Sequence, residues 1–283
     1  MTEAELAIVR RAYAKQVMVP YSAAHPRVEA AFAAVRREAF LGPGPWPLLH
    51  FSNFSRYVMT PDDDPVYLCQ DLLVSMVPER RLNNGQPSGH AMLMAQADPR
   101  PGEHAVHIGA GVGYYSAILA HIVDDSGRVT AIEYDPGLAA RLKANFASQP
   151  NVRAVHGDGT RIDFDPADVI YVNAGVTRPV DLWLDRLKDR GRMILALTRD
   201  KDAGGAWFRI ERRGDGFLAK WFHAANLFAC EGARDAESER ALVAALEKGG
   251  WDRVTRLYRR GDVPEGQCWL KAPDWCLASD LLT

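Results

Sequence analysis

His107-Ile108-Gly109-Ala110-Gly111-Val112-Gly113 is the stretch that decides the fold of this 283-residue chain. Ala105-Val106-His107-Ile108 reads as a short buried strand, and Tyr114 to Val123 reads as a helix. A strand that turns through glycines into a helix is what a nucleotide-type ligand requires. Glycine lets the backbone turn tightly and lets a ligand come close to it. The rhythm continues outward. Val129-Thr130-Ala131-Ile132 is a strand ending at Glu133, and Pro136 to Phe146 is a helix with Asp135 as its N-cap. Val152 to His156 is a strand ending at Gly157-Asp158-Gly159. Val169 to Val172 is a fourth strand, closed by Asn173-Ala174-Gly175. Pro179 to Leu187 is helical, and Arg192 to Leu197 is a fifth strand after a turn at Gly191. Strands alternating with helices of ~10 residues predict an α/β fold with a doubly wound, Rossmann-like parallel sheet and helices on both faces. Such sheets bind ligands at the carboxyl ends of their strands. The polar and glycine residues gather at those ends.

The glycine spacing separates two classes of nucleotide cofactor. Dehydrogenases favour G-x-G-x-x-G, whose third glycine allows close helix–strand packing beside a pyrophosphate. Here the glycines stand at 109, 111 and 113, and Tyr114 occupies the third-glycine place. A tyrosine there obstructs that packing. S-adenosylmethionine carries no pyrophosphate, so the constraint does not apply to it. Glu133, at the next strand end, can accept hydrogen bonds from both ribose hydroxyls. Asp158, at the third, can accept from the adenine exocyclic amine. The cofactor-side candidates are His107, Gly109, Gly111, Gly113, Glu133, Tyr134, Asp158, Gly159 and Asn173. They predict an S-adenosylmethionine-dependent methyltransferase, with a dehydrogenase as the outside alternative.

The flanks frame this sheet with N-terminal helices and a C-terminal extension. Leu6, Val9, Tyr13 and Val17 recur at helical spacing over residues 3–17, and residues 26–40 predict a second helix with Val28, Ala31, Phe32 and Val35 as its apolar stripe. Residues 48–80 show no clear pattern. Trp207 to Arg212 and Phe217 to Phe222 flank Arg213-Gly214-Asp215-Gly216, a hairpin signal. Residues 235–248 predict an amphipathic helix, and 251–283 mix short strands with tryptophans. The expected organisation is an N-terminal and acceptor-side segment over 1–98, a cofactor domain over 99–230 and an extension over 231–283.

Composition bounds the rest. Net charge is −2, and no basic stripe appears, which argues against a nucleic-acid or anionic-membrane partner. No apolar run reaches the ~20 residues of a spanning helix, and the acidic start Met1-Thr2-Glu3-Ala4-Glu5 is no secretory signal. The expected setting is cytoplasmic. Cysteines stand at 69, 230, 268 and 276 without a CxxC pair, and they read as four reduced thiols. Cys268 and Cys276 each lie beside a tryptophan, which leaves pairing open. Asp62-Asp63-Asp64 reads as a solvated turn, so no metal is expected.

Four segments make residues 26–198 resemble the protein-L-isoaspartate O-methyltransferase family. Val28 to Phe40 resembles its N-terminal helix and Val-Pro-Arg-x-x-Phe ending, with Arg36 in the proline's place. Gly85-Gln86-Pro87-Ser88 resembles its Gly-Gln-x-x-Ser, one residue shorter. His107 to Ala117 resembles its Gly-x-Gly-x-Gly-Tyr-x-x-Ala, and His156-Gly157-Asp158-Gly159-Thr160 matches its His-Gly-Asp-Gly-Thr. The resemblance implies methyl transfer from S-adenosylmethionine to a carboxylate of a peptide or protein, with the cofactor held by Gly109, Gly111, Gly113, Glu133, Asp158 and Gly159. It implies Ser88 beside the acceptor carboxylate as the catalytic candidate, with Asn84 and Gln86 as further candidates in the same pocket. His90 is another, against the alternative of a packed histidine without a role.

A carboxylate is already ionised at pH 7, so no general base is needed. Catalysis then amounts to orienting an oxygen and excluding water. Ser88 suits the first task, although Pro87-Ser88-Gly89 is also good turn chemistry. His107 stands where the family carries an acid, and it is expected to stay neutral because a cation would repel the sulfonium. Departures at Asn83, Asn84, Pro87 and Asn173 surround the acceptor side. Two other readings therefore stand beside isoaspartyl methylation: a different small-molecule or peptide acceptor, and a cofactor-binding module without methyl transfer.

Overall fold

Thr2 opens the first helix with a reciprocal capping box: its hydroxyl accepts from the Glu5 backbone, and the Glu5 carboxylate accepts from the Thr2 backbone at 2.8 Å. The structure is a computed structural model that describes residues 1–21, 25–49, 56–200, 204–259 and 266–279. The chain folds into two units, each visited more than once. One comprises Met1–Gly102, Ala110–Ala131 and Asp135–Val155; the other comprises Glu103–Gly109, Ile132–Tyr134 and His156–Thr283.

In the first unit, α1 (Glu3–Met18) buries Leu6, Tyr13, Ala14 and Val17. α2 (Pro26–Ala34) buries Val28, Ala31 and Phe32. The helix expected over 26–40 is interrupted. Val35 is extended at φ −81° and ψ 122°, and helix resumes only as α3 (Glu38–Leu41). The break turns the Arg37 side chain into the interior, where it finds five oxygen acceptors. A continuous helix would leave that guanidinium on another face. β1 (Pro47–Leu49), β2 (Val58–Met59), β3 (Leu73–Val77) and β4 (Leu82–Asn83) form a small sheet of order β2-β1-β3-β4. α4 (Pro87–Ala97), α5 (Tyr114–Val123) and α6 (Pro136–Asn145) complete the unit. Asp135 caps α6 as expected, accepting from the Leu138 backbone at 2.9 Å. Phe32 meets Tyr13 and Tyr114 edge-on, with centroids 6.2 and 6.3 Å apart, tying α1, α2 and α5 together.

The second unit is built on a sheet. Its strands are β5 (His104–Ile108), the carboxyl ends of β6 (Arg128–Glu133) and β7 (Val152–His156), β8 (Ala167–Val176), β9 (Leu187–Thr198), β10 (Gly204–Arg213), β11 (Gly216–Asn226), β12 (Arg256–Arg259), β13 (Cys268–Ala272) and β14 (Trp275–Ala278). The order is β13-β14-β12-β11-β10-β9-β8-β5-β6-β7. β5, β8 and β9 run parallel, and from β9 outward the pairing is antiparallel. The expected α/β class is present, and the sheet is mixed rather than wholly parallel. β5 and the centres of β8 and β9 are buried throughout, which is why they read as unbroken apolar runs. α7 (Asp181–Arg186) links β8 to β9, and α8 (Ala236–Lys248) follows Asp235, which caps it through the Glu237 and Ser238 backbones.

Three local expectations are corrected. β8 does not close at Asn173: it continues to Val176, because Gly175 donates to the Phe228 carbonyl at 2.7 Å and accepts from Cys230 at 2.8 Å. Gly191 lies within β9 rather than in a turn. The extra residues shift the register opposite Ala167 and Val169, and Arg190 takes the left-handed φ of 60°. Cys268 and Cys276 are disulfide-bonded, with Cα atoms 5.9 Å apart across β13 and β14, so only Cys69 and Cys230 are free thiols. The Arg213–Gly216 hairpin forms as expected, with those two residues paired. Among the described residues no helix is long and apolar enough to cross a membrane, and no cluster of metal-ligating side chains occurs.

Candidate functional site

The strand ends of the second unit converge. β5 passes into Gly109, whose φ of +76° is left-handed, and a Cβ there would lie 2.9 Å from the Asn173 carbonyl oxygen. The Asn173 amide donates to the Gly109 carbonyl at 3.3 Å, so this side chain braces the loop. Gly109 donates to Ile132 at 3.0 Å, and Gly157 donates to the Glu133 carbonyl at 2.9 Å, which ties the ends of β5, β6 and β7 together. Glu133 is 8% exposed at the end of β6, and Tyr134 beside it is 54% exposed. The Tyr134 carbonyl lies 3.2 Å from His156 Nε2. Gly159 packs on Ile108 where a Cβ would fall 2.6 Å from Ile108 Cγ2, and its carbonyl accepts from the Trp183 indole at 2.8 Å.

Asp158 is held by its own turn. Its Oδ1 accepts from the Thr160 backbone at 2.9 Å and the Thr160 hydroxyl at 2.7 Å, which closes the turn after β7. Its Oδ2 lies 3.4 Å from Arg161 Nε. His107 is fully buried, with its ring edge-on to Tyr171 at 5.0 Å. Desolvation lowers its pKa to about 3, so the imidazole is neutral at pH 7.

The first unit carries the remaining candidates. Gly113 heads α5, and Gly111 lies in the same turn, with Gly113 donating to Ala110 at 3.0 Å. Ser88, in the first turn of α4, is wholly buried. Its hydroxyl donates to Asp71 Oδ2 at 2.6 Å and its backbone to Asp71 Oδ1 at 2.8 Å. Gln86 Nε2 donates to Asp71 Oδ2 and to Ser88 Oγ, both at 3.0 Å. Asn84 is buried, and its Oδ1 accepts from Arg37 Nε at 3.1 Å. His90 is buried and stacked flat on Tyr115, with centroids 3.4 Å apart at 5°. Tyr115 donates to the Gly85 carbonyl at 3.0 Å.

Of the acceptor-side candidates, Gln86 and Ser88 thus stand together. Asn84 and His90 are engaged in packing the loop before α4. Two residues escaped sequence reasoning. Asp71 lies in the stretch without periodicity, seventeen positions from its partner Ser88, and nothing local marked it. Arg37 was inside the quoted helix ending. The signal that points to it is the resemblance to the family's Val-Pro-Arg-x-x-Phe ending, whose arginine is kept here while the proline is not.

The fold is that of a Rossmann-like methyltransferase. It superposes on a solved protein-L-isoaspartate O-methyltransferase with a TM-score of 0.65 at 19% identity, covering 95% of this chain and 88% of that one. A Plasmodium falciparum protein described as a member of the same class, solved with S-adenosyl-L-homocysteine, aligns with a TM-score of 0.60 at 14% identity over 78% of this chain and 98% of that one. In sequence, the family profile of protein-L-isoaspartate(D-aspartate) O-methyltransferase matches residues 21–228, and the chain belongs to that family. The Thermotoga maritima protein-L-isoaspartate O-methyltransferase is 31% identical over 146 residues, which are 50% of this chain and 43% of that one. The Pyrobaculum arsenaticum protein of the same name is 28% identical over 194 residues, 67% of this chain and 83% of that one. The match therefore spans under half the length of the Thermotoga relative and most of the Pyrobaculum one.

Proposed function

We propose that this protein transfers a methyl group from S-adenosylmethionine to a carboxylate of a peptide or protein, with isoaspartyl residues as the acceptor class. The observation that carries this reading is family membership over residues 21–228, a span that includes both the glycine loop and Ser88.

The strand ends suit the cofactor. Gly109 turns the chain at a left-handed φ and lies against the Asn173 backbone, a close approach that only glycine allows. Glu133 offers a nearly buried carboxylate at the position that receives ribose hydroxyls. On this reading Gly109, Gly111, Gly113, Glu133, Tyr134, Asp158, Gly159 and Asn173 hold the cofactor, and the neutral His107 lies fully buried near the end of β5, just before them in the chain. When bound, S-adenosylmethionine supplies an electrophilic methyl group on a sulfonium. A neutral imidazole adds no charge opposed to that sulfonium. The chain needs no general base, because the acceptor carboxylate is ionised at neutral pH. Its own contribution is to orient the acceptor oxygen through Ser88 and Gln86 and to keep water out, and proximity of this kind accounts for much of the rate. Asn84 and His90 contribute through packing, Asn84 held by Arg37 and His90 stacked on Tyr115.

The test is labelled S-adenosylmethionine with an isoaspartyl peptide beside its aspartyl twin. Base-labile label on the isoaspartyl peptide alone is expected. No label on either peptide, with S-adenosylhomocysteine binding intact, would move the acceptor to another small-molecule or peptide carboxylate. A cytoplasmic setting accompanies this reading. The free thiols Cys69 and Cys230 speak for it, and the Cys268–Cys276 bond speaks against it. Cell fractionation decides between them.

A further inference from the structure

The donors that should meet an acceptor carboxylate already hold one. The Ser88 hydroxyl, the Ser88 backbone N–H and the Gln86 amide converge on the two oxygens of Asp71, at 2.6, 2.8 and 3.0 Å. Three donors on one carboxylate are the arrangement a bound acceptor carboxylate would make. Ser88 has no further hydrogen to offer: its single proton goes to Asp71, and its oxygen accepts from Gln86.

We propose that Asp71 is a built-in occupant of the acceptor-carboxylate seat, which an acceptor must displace, and that it thereby sets which acceptors bind. The inference rests on the function proposed above.

Two features make displacement feasible. Ser88 is wholly buried whereas Asp71 keeps part of its surface exposed, so the aspartate is the member of the pair nearer to solvent. Its carboxylate can swing into water without being stranded as a buried charge. The backbone on either side is pinned by Arg37, which donates to the carbonyls of Gln70 and Leu72 at 3.4 and 3.0 Å. The same guanidinium holds the Gly85 carbonyl at 3.4 Å, just before Gln86. Exchange therefore needs only a side-chain rotation, and the seat keeps its shape when Asp71 leaves.

The consequence is selection. An acceptor's apparent affinity is reduced by the fraction of time the seat is open. A bare carboxylate loses to a tethered one, whose effective concentration is high. A peptide that brings additional contacts does not.

Capping of α4 is the competing role, since its N-cap residue Gln86 makes no capping bond of its own. The two roles predict opposite signs. The experiment measures binding of an isoaspartyl hexapeptide by calorimetry, with S-adenosylhomocysteine present, to the wild type, Asp71→Ala and Asp71→Asn. Tighter binding by roughly tenfold is expected for Asp71→Ala once the seat is permanently open. A smaller gain is expected for Asp71→Asn, whose amide nitrogen cannot accept from Gln86. If Asp71→Ala does not fold, Asp71→Asn carries the test. Unchanged or weaker binding in the folded variants overturns the inference and assigns Asp71 to capping alone. Peptide binding to none of the three, with S-adenosylhomocysteine still bound, overturns the acceptor reading itself and this inference with it.

Discussion

Gly232 lies against the Asp158 carboxylate with no room for a side chain: a Cβ on Gly232 would fall 2.7 Å from Asp158 Oδ2 and 2.6 Å from Thr160 Oγ1. The segment around it is firmly held. Phe228 and Cys230 pair with Gly175 at the end of β8, and Arg234 donates to the Gly175 and Thr198 carbonyls at 3.0 and 2.9 Å. The extension after residue 230 therefore reaches the strand end at which adenine is expected. Because Gly232 also has a φ of +83°, Gly232→Ala adds both strain and a collision with Asp158. A stability loss of about 1–2 kcal/mol and a roughly tenfold weaker S-adenosylhomocysteine affinity are expected, the latter corresponding to 1.4 kcal/mol. Calorimetric titration alongside thermal melting separates the two. Undiminished affinity in a folded variant would remove Asp158 from the cofactor site.

Arg37 braces the segments that flank Asp71 and lead into Gln86 and Ser88. Its guanidinium is 3% exposed as a residue and serves the Asn84 amide oxygen and the carbonyls of Leu68, Gln70, Leu72 and Gly85. Arg37→Met keeps most of the volume but leaves these acceptors without their donor. A cost of about 3 kcal/mol or more follows from stranding buried polar groups. Arg37→Lys is expected to recover little, since an ammonium has three donors on one atom and cannot span five acceptors. Urea midpoints measure both, and a Lys variant as stable as the wild type would show that charge rather than the fork matters.

The sheet around the glycine loop was legible because the centres of its strands are apolar and glycine or proline stands near many of their ends. Tyr114–Val123 and the Asp135 cap came out as read, since local chemistry decides them. The failures have tertiary causes. β8 overruns Asn173 because a partner segment more than fifty positions later supplies Gly175 with hydrogen bonds. The helix break at Val35 follows from where Arg37 finds its acceptors. Ser88 was legible as a candidate, yet its partner was not, because the Asp71–Ser88 contact is a side-chain meeting across a loop without periodicity. Arg37, Asp71 and Gly232 share that character: each acts through distant partners.

The disulfide gives a prediction confined to the C-terminal hairpin. Cys268 and Cys276 close a loop of sequence separation 8. Loop-closure entropy puts the stabilisation at about 2.5 kcal/mol. The hairpin is also held by the Trp269 indole, which donates to the Ala245 carbonyl at 3.1 Å on α8. Reduction, or the pair Cys268→Ser with Cys276→Ser, is thus expected to raise amide exchange in β13 and β14 and to spare β5 and β8. Uniform acceleration across the sheet would contradict that confinement.

His107 makes the acid limb of stability testable. Burial lowers its pKa to about 3, against an ordinary value of 6.5. The folded state therefore refuses a proton that the unfolded chain accepts, so the group's contribution is complete above about pH 6.5 and is lost as pH falls from there toward about 3. The slope in that window is about 1.4 kcal/mol per pH unit from this residue. By about pH 5 the loss reaches roughly 2 kcal/mol. His107→Gln has no titrating group, so its unfolding free energy should fall less steeply over the same window, whatever its level at pH 7. Urea unfolding of both proteins at about pH 7 and about pH 5 measures the difference. Parallel profiles would falsify the assignment of a neutral, desolvated imidazole at the head of the glycine loop. A steeper variant profile would mean that His107 is charged in the folded protein, and the loop would then carry a cation opposite the sulfonium it is proposed to receive.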